Sequence, residues 1–324
     1  MSKALYPLVA IVGPTASGKS ALGIHLAGQF DGEVLACDST QVYRGFDVGT
    51  GKVLPAEHRG IPHHLLDLLE PQEVFTAGEY RRRALDVLEG VRQRGKLPIL
   101  TAGTGLYLRA LLEGLSDAPT RSEELRERLR QRAVKKGPGW LHRILHRLDA
   151  ERAAQVSAAD TPKLIRAIEV CLLAGRPASE VYRAGRPRLE GFAPIKVGLM
   201  PARTALYERI EQRVRAMLDA SWTGEVQRLL AAGIPETAKP WQFIGYAELR
   251  AHLRGVVSLK EAIKTIQRKT RHYAKRQITW FRKEPGVEWF HGFGNDPEIT
   301  EAVAAFLRQR LSTGRSASAS GNHP

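Results

Sequence analysis

The sequence predicts an α/β fold: a doubly wound parallel sheet built around a phosphate-binding loop (P-loop), with a helical domain inserted into it. Three observations predict it. Residues 13–20 read Gly13-Pro14-Thr15-Ala16-Ser17-Gly18-Lys19-Ser20, a complete G-x-x-x-x-G-K-S pattern flanked by a β-branched apolar run and a helix-spaced one. Strand and helix signals then alternate through the first 115 residues. From residue 116 the strand signals stop, and they resume only near residue 195.

Taken in order, Leu8-Val9-Ala10-Ile11-Val12 is suited to a buried parallel strand, and Ala21–Ala27 continues the loop with helical spacing. Glu33-Val34-Leu35-Ala36-Cys37 is a second strand, ending at Asp38-Ser39-Thr40. Residues 75–80 open a helix running to about Arg94, and Leu97–Thr101 is a further short strand. It ends in Gly103-Thr104-Gly105, before a helix that starts at Leu106. Residues 121–132 are charged and helical, and 139–156 and 162–174 are helical as well. The first part of the core is thus 1–115, the helical insertion 116–194, and the second part of the core 195–311. That last part opens on the strand Ile195–Leu199 and continues with helices at about 204–232 and 258–283. Residues 312–324 read as a disordered tail.

With 324 residues the chain can bury a full core. Its net charge of +15 is the unusual quantity, since such an excess attracts polyanions through phosphate contacts and counterion release. Two cysteines, Cys37 and Cys171, imply neither a disulfide framework nor a cysteine zinc site. The apolar N-terminal run leads straight into the phosphate loop without a cleavage site, and no apolar run of membrane-spanning length occurs. A cytoplasmic protein without membrane attachment is expected. His63-His64 has no evident third ligand nearby, so a metal site is not expected there. The five tryptophans are scattered and read mostly as core.

In a parallel sheet the C-terminal strand ends share one edge, and ligands bind along it. The phosphate loop, Asp38-Ser39-Thr40-Gln41 and Gly103-Thr104-Gly105 therefore converge. The loop's N–H groups and the following helix N-terminus suit a di- or triphosphate, with Lys19 on phosphate oxygens and the Ser20 hydroxyl on Mg²⁺. A carboxylate at position 38 could hold the metal, bind a ribose, accept a proton, or merely cap a turn. Residues 258–283 form the second strong feature. Ile263, Ile266, Thr270, Tyr273, Ala274, Ile278 and Phe281 make an apolar helix face, and Arg268, Lys269, Arg271, His272, Lys275, Arg276, Arg282 and Lys283 fill much of the rest. No acidic residue lies between Glu261 and Glu284, which favours a polyanion groove over a solvated face.

Together these residues resemble the tRNA dimethylallyltransferases, the adenosine-37 isopentenyltransferases. The likeness runs from GPTASGKS through DSTQVYRGFDVGTGK (38–52), GIPHHLLD (60–67), AGTGLYL (102–108), LIRAIEV (164–170), FIGYAEL (243–249) and TRHYAKRQITWFR (270–282). It implies that Gly13, Pro14, Thr15, Ala16, Ser17, Gly18, Lys19 and Ser20 bind the diphosphate of dimethylallyl diphosphate rather than ATP. Mg²⁺ at Ser20 is the implied cofactor. The implied reaction breaks a carbon–oxygen bond and moves the allyl group to N6 of adenine. Asp38 is then the implied base, Thr104 lies near diphosphate and target base, and Lys19 and Arg213 act on the diphosphate. The tRNA contacts implied by the resemblance are Asp38, Ser39, Thr40, Gln41 and Thr104; Pro162, Lys163, Leu164, Ile165 and Arg166; Gln242, Phe243, Ile244, Gly245, Tyr246 and Ala247; and Lys275, Arg276, Gln277 and Arg282. The helical insertion would grip the anticodon stem, and a monomer would suffice for a single tRNA.

Thr40 stands where many relatives carry alanine, and Ala102 where glycine is usual. No Cys/His pair follows residue 283, so the zinc finger appended to some eukaryotic relatives is not expected, which points to a bacterial-type enzyme. Three rival readings share parts of this pattern. They are an adenylate isopentenyltransferase making a cytokinin, a P-loop kinase of small metabolites, and a non-catalytic RNA-binding NTPase. The insertion, the basic helix and the charge weigh against the first.

Overall fold

A computed structural model describes residues 5–183 and 187–319. They form two compact units, one made of the residues up to Leu112 with those from Glu190 onward, the other of Glu113–Leu189. The insertion is thus bounded at 113 and 189 rather than 116 and 194.

The first unit is built on six parallel strands. β1 (Tyr6–Val12), β2 (Gly32–Cys37), β3 (His63–His64), β4 (Leu97–Ala102), β5 (Phe192–Leu199) and β6 (Val287–Phe290) lie in the order β3-β2-β4-β1-β5-β6. The central strands are buried throughout or nearly so, as expected of a parallel sheet covered on both faces. Register decides the site: Val12 pairs with Ala102 and with Gly198, and Cys37 pairs with Ala102. Three strands therefore end side by side, and Gly13, Asp38 and Gly103 are the next residue on each.

On one face α1 (Lys19–Gln29) and α13 (Pro297–Ala319) bury Leu22, Leu26, Val303 and Leu307 against Val9, Ile11, Ile99 and Val197. Burying each such aliphatic side chain contributes about 1.5–3 kcal/mol. α2 (Ala77–Gln93) is started by Thr76, whose hydroxyl accepts the Glu79 N–H at 3.1 Å. Hydrogen bonds from Arg82 and Arg83 hold the Glu79 carboxyl down at about 2. α3 (Gly105–Glu113) follows β4 directly. A second core gathers Tyr43, Phe46, Trp222, Trp241, Tyr246 and Ile266 among α9 (Arg203–Asp219), α10 (Trp222–Ala231), α11 (Tyr246–Leu253) and α12 (Leu259–Phe281). A capping box between Ser258 and Glu261 begins α12.

The inserted unit is all-helical: α4 (Glu123–Lys136), α5 (Trp140–Leu148), α6 (Ala150–Gln155), α7 (Thr161–Ala174) and α8 (Ala178–Arg183). Leu129, Leu141, Leu145, Ile165 and Ile168 form its core. Buried Glu169 takes both nitrogens of the Arg126 fork at 2.9 Å, Arg166 at 2.7 Å and the Ser122 N–H at 2.7 Å. Burial pushes that carboxyl up, but these donors win and its pKa falls.

Several expectations are corrected. The helix expected over 204–232 is two, because Ser221 adopts a left-handed φ of 64° and turns the chain so that the Trp222 indole enters the core. The segment 139–156 likewise divides at Asp149, which caps α6 through its side chain and holds the Ser179 N–H at 2.7 Å. β5 begins at Phe192, three residues before the expected start. β3, β6, α11 and α13 were not anticipated. α13 runs on to Ala319, so the residues expected to be a tail are helical to that point, and 320–324 lie outside the described residues. His64 Nε2–H donates to the Glu33 carboxylate at 2.6 Å, and His63 stacks on His58 with ring centres 3.8 Å apart.

Candidate active site

The converging strand ends open into a cavity of about 780 Å³. Thr15 to Ser20, Asp38 to Gln41, Arg213, Gln242, Phe243, Ile244, Arg276 and Gln277 all line it, so most of the expected site is brought together. α1 starts from Gly18 without a side-chain cap and with no acidic residue in its first turn. That leaves its N-terminal N–H groups and positive dipole end facing the cavity, as an anion requires. Lys19 bends back, donating to the carbonyls of Gly13 at 2.9 Å and Pro14 at 2.7 Å. Desolvation in this enclosed position lowers its pKa to about 7; the Asp38 carboxylate opposes the fall and Arg213 adds to it.

Asp38 is held at one oxygen only. Its Oδ1 accepts the Thr40 N–H at 2.9 Å and the Thr40 hydroxyl at 2.7 Å. Its Oδ2 receives no hydrogen bond from any described residue and lies so close over Gly103 that a β-carbon there would overlap it. Thr104 does not line the cavity. Its Oγ1 accepts the Ser39 N–H at 3.0 Å and donates to the Ser39 hydroxyl at 3.2 Å, so it fixes the turn that carries Asp38.

Arg213 comes from the middle of α9 and makes no hydrogen bond or ion pair with any described residue. Burial lowers its pKa, with Asp38 opposing and Arg209 assisting. Its guanidinium lies against Gly51, whose φ of 62° and missing side chain make room for it. Lys19 and Arg213 are thus two partly buried cations, and Asp38 is the carboxylate among the described residues that acts on both.

Not every expected contact reaches a surface. Leu164 and Ile165 are core residues of the inserted unit, and Tyr246 is fully buried in the first. The Tyr246 hydroxyl donates to Glu225 at 2.6 Å and accepts the Gly49 N–H at 3.1 Å, so it shapes the 47–51 loop instead of meeting a polymer. Gly245 is buried against the Trp222 ring. Pro162 and Lys163 are exposed and Arg166 partly so, while Lys275, Arg276 and Arg282 are exposed on or just after α12. Two of the basic residues of α12 are neutralised from other helices, Lys269 by Glu248 at 2.5 Å and Arg271 by Glu211 at 2.8 Å. Arg268, Lys275, Arg276 and Arg282 have no ion-pair partner among the described residues.

Two features of the site escaped the sequence. Gly294, in the turn after β6, donates its N–H to Ser17 O at 2.8 Å and braces the phosphate loop from one side. Arg209, one turn before Arg213, lines the cavity and holds the Asn295 side chain of the same turn. The spacing Arg209–Arg213 on one helix face is the signal that points to it.

Residues 41–284 match the profile of the IPP transferase family. The chain belongs to that family, the tRNA dimethylallyltransferases. The family assignment agrees with 51% identity over 307 residues to the tRNA dimethylallyltransferase of Solibacter usitatus, covering 94% of this chain and 100% of that one. The corresponding protein of Koribacter versatilis is 49% identical, covering 93% and 98%. Among solved structures, the full-length tRNA isopentenylpyrophosphate transferase of Bacillus halodurans superposes with a TM-score of 0.71 at 35% identity, covering 96% and 99%. A eukaryotic dimethylallyltransferase acting on tRNA gives a TM-score of 0.79 at 25% identity, covering 95% and 80%. As a family member the chain carries a complete phosphate loop, DSTQ turn and basic α12. Among the described residues no helix is long and apolar enough to cross a membrane.

Proposed function

We propose that this chain transfers a dimethylallyl group from dimethylallyl diphosphate to N6 of adenosine-37 in tRNA anticodon loops, releasing diphosphate, as a cytoplasmic monomer. The observation that carries this reading is the cation pair. Lys19 and Arg213 stand partly buried in one cavity at an uncapped helix N-terminus, with Asp38 Oδ2 free of any hydrogen bond from a described residue. Two partly desolvated cations share that one carboxylate, and a diphosphate supplies further negative charge.

In the reaction the allylic C1–O bond breaks and its electron pair leaves on the diphosphate. The Lys19 ammonium, the Arg213 guanidinium and the loop N–H groups stabilise that growing charge more than they stabilise the bound substrate. The N6 lone pair of adenine forms the new bond to C1. One N6 proton then passes to Asp38 Oδ2, which Thr40 leaves available by occupying Oδ1. Thr104 acts through Ser39, keeping the turn in place. The Ser20 hydroxyl and the Asp38 carboxylate both line the cavity, an all-oxygen set of the kind Mg²⁺ accepts together with phosphate oxygens and water. Ser20 would hold such an ion, which when bound supplies further neutralisation of the leaving diphosphate.

The adenine must leave its stack to reach this cavity, which costs least in a loop already single-stranded. Exposed Lys275, Arg276 and Arg282, which have no ion-pair partner among the described residues, suit phosphate contacts with an anticodon stem-loop.

The test is incubation with radiolabelled dimethylallyl diphosphate, Mg²⁺ and unmodified tRNA bearing adenosine-37, with AMP and ATP as competing acceptors. Label is expected in tRNA alone. Label in AMP or ATP instead makes the chain a free-nucleotide prenyltransferase, and no transfer to any acceptor overturns the prenylation reading.

A further inference from the structure

Gln277 sits among the basic residues of α12 yet faces inward and is only 6% exposed. Its Oε1 accepts the Thr15 N–H at 2.7 Å, and its Nε2 donates to Gly103 O at 2.8 Å. One side-chain amide therefore spans the crown of the phosphate loop and the turn on which Asp38 Oδ2 rests. The Tyr273 hydroxyl, one turn earlier on the same helix, donates to the same Gly103 carbonyl at 3.4 Å.

The residue type fits the task. The bridge needs an acceptor at one end and a donor at the other, both on a side chain long enough to reach two backbones. Glutamine supplies both; an ionised glutamate has no donor, and asparagine is one methylene shorter. Removing the amide would orphan two backbone groups in the wall of the site, Thr15 N–H and Gly103 O, each costly to leave unpaired. Among the described residues the loop then keeps the brace on its other side, the Gly294 N–H on Ser17 O. Both ends of the amide are engaged inside the protein on a side chain only 6% exposed, so the bridge holds the walls of the site in place.

We propose that Gln277 is a positioning residue: it fixes the diphosphate-binding loop in register with the Asp38 turn and fastens both to the helix whose outer face carries Lys275 and Arg276. For the transferred group this inference rests on the prenylation reading above, but its effect on the anion site does not.

The test compares wild type with Gln277→Leu by three readouts: Kd for inorganic diphosphate, Kd for an anticodon stem-loop RNA, and single-turnover transfer. The variant is expected to weaken diphosphate binding by about fivefold or more, roughly the worth of one buried hydrogen bond. Transfer should slow by about tenfold or more, because a small misplacement of reacting groups is amplified in rate. RNA affinity should stay within about twofold, since no RNA contact is lost. A variant that loses RNA affinity while diphosphate binding holds would make Gln277 an RNA contact and overturn the proposal. A lowered melting temperature with wild-type diphosphate Kd and transfer rate would leave it a merely structural residue, and overturn the proposal equally. If Gln277→Leu does not fold, Gln277→Met, of the same length and without an amide, gives the same readouts. If wild type binds diphosphate but transfers nothing, the prenylation reading falls, and the diphosphate Kd alone decides the role of Gln277.

Discussion

Thr40 grips Asp38 twice at the same oxygen: its N–H and its hydroxyl both donate to Oδ1, at 2.9 and 2.7 Å. The carboxylate is thereby pinned in rotation, with Oδ2 over Gly103 and no donor on it from any described residue. Asp38→Ala removes the proton acceptor, so turnover should fall by about 10²–10⁴ while the Kd for tRNA stays close to wild type. Thr40→Ala keeps the backbone grip and loses one hydrogen bond, so a fall of about three- to tenfold is expected, with Thr40→Ser restoring most of it. Steady-state kinetics with separate RNA-binding curves check both; equal loss of turnover and affinity in Asp38→Ala would remove it from the chemistry.

Gly51 makes room for Arg213. A β-carbon at Gly51 would overlap the guanidinium, and the left-handed backbone adds a cost of about 1–2 kcal/mol for alanine. Gly60→Ala is the control, because φ there is 76° and open space surrounds it. Both variants should lose similar stability in chemical denaturation. Gly51→Ala alone should lower kcat/KM for dimethylallyl diphosphate, by about 10–10², as loss of one charged donor to a developing anion does.

Proton counting tests Lys19 directly. Its pKa in the protein is lowered to about 7, whereas the unfolded chain keeps the ordinary value of 10.5. Between those values the unfolded chain holds a proton that the folded chain lacks, so this group makes stability rise with pH across that window. A bound diphosphate favours the charged ammonium and pulls the pKa back up. Diphosphate affinity should therefore weaken above about pH 7, by up to about tenfold per unit. At pH 8 binding should take up about half a proton or more beyond that of Lys19→Met, read by calorimetry in buffers of different ionisation enthalpy. The same uptake in both proteins would separate Lys19 from the anion site.

Lys275, Arg276 and Arg282 have no ion-pair partners among the described residues, unlike Lys269 and Arg271. Replacing those three by alanine should weaken tRNA binding and flatten the plot of log K against log salt by about 2–3 in slope. Neutralising Lys269 and Arg271 instead should change the slope less and the melting temperature more. If the two sets behave alike, the exposed face of α12 is not the RNA groove.

The parts of the fold that were legible in the sequence are those written locally. A β-branched run before a glycine-rich loop identifies β1, and the strand-end rule then places Asp38 and Gly103 beside it. β3 and β6 are two and four residues long, and their neighbours in the sheet define them more than any pattern of their own. The break at Ser221 carries no glycine or proline; what demands it is the slot between Gly49 and Gly245 that the Trp222 ring fills. Arg213 was found through resemblance, because nothing in its local spacing says that it stands unpaired beside Asp38. Gln277 is an RNA contact only by what the resemblance implies, and the structure buries it instead. Its position four residues before Phe281 and three after Ala274, both buried, was the better guide.

The brace on the phosphate loop also has a meaning in time. Thr15 waits for an acceptor that lies 262 residues further along the chain, and Ser17 for an N–H at position 294. At synthesis rates of about 5–20 residues per second, that separation is roughly 13–52 s on the ribosome. Through that interval the nascent chain displays the whole G-x-x-x-x-G-K-S motif without the contacts that set its shape. The braced shape of the loop therefore waits until residues 277 and 294 have been made, long after the motif itself.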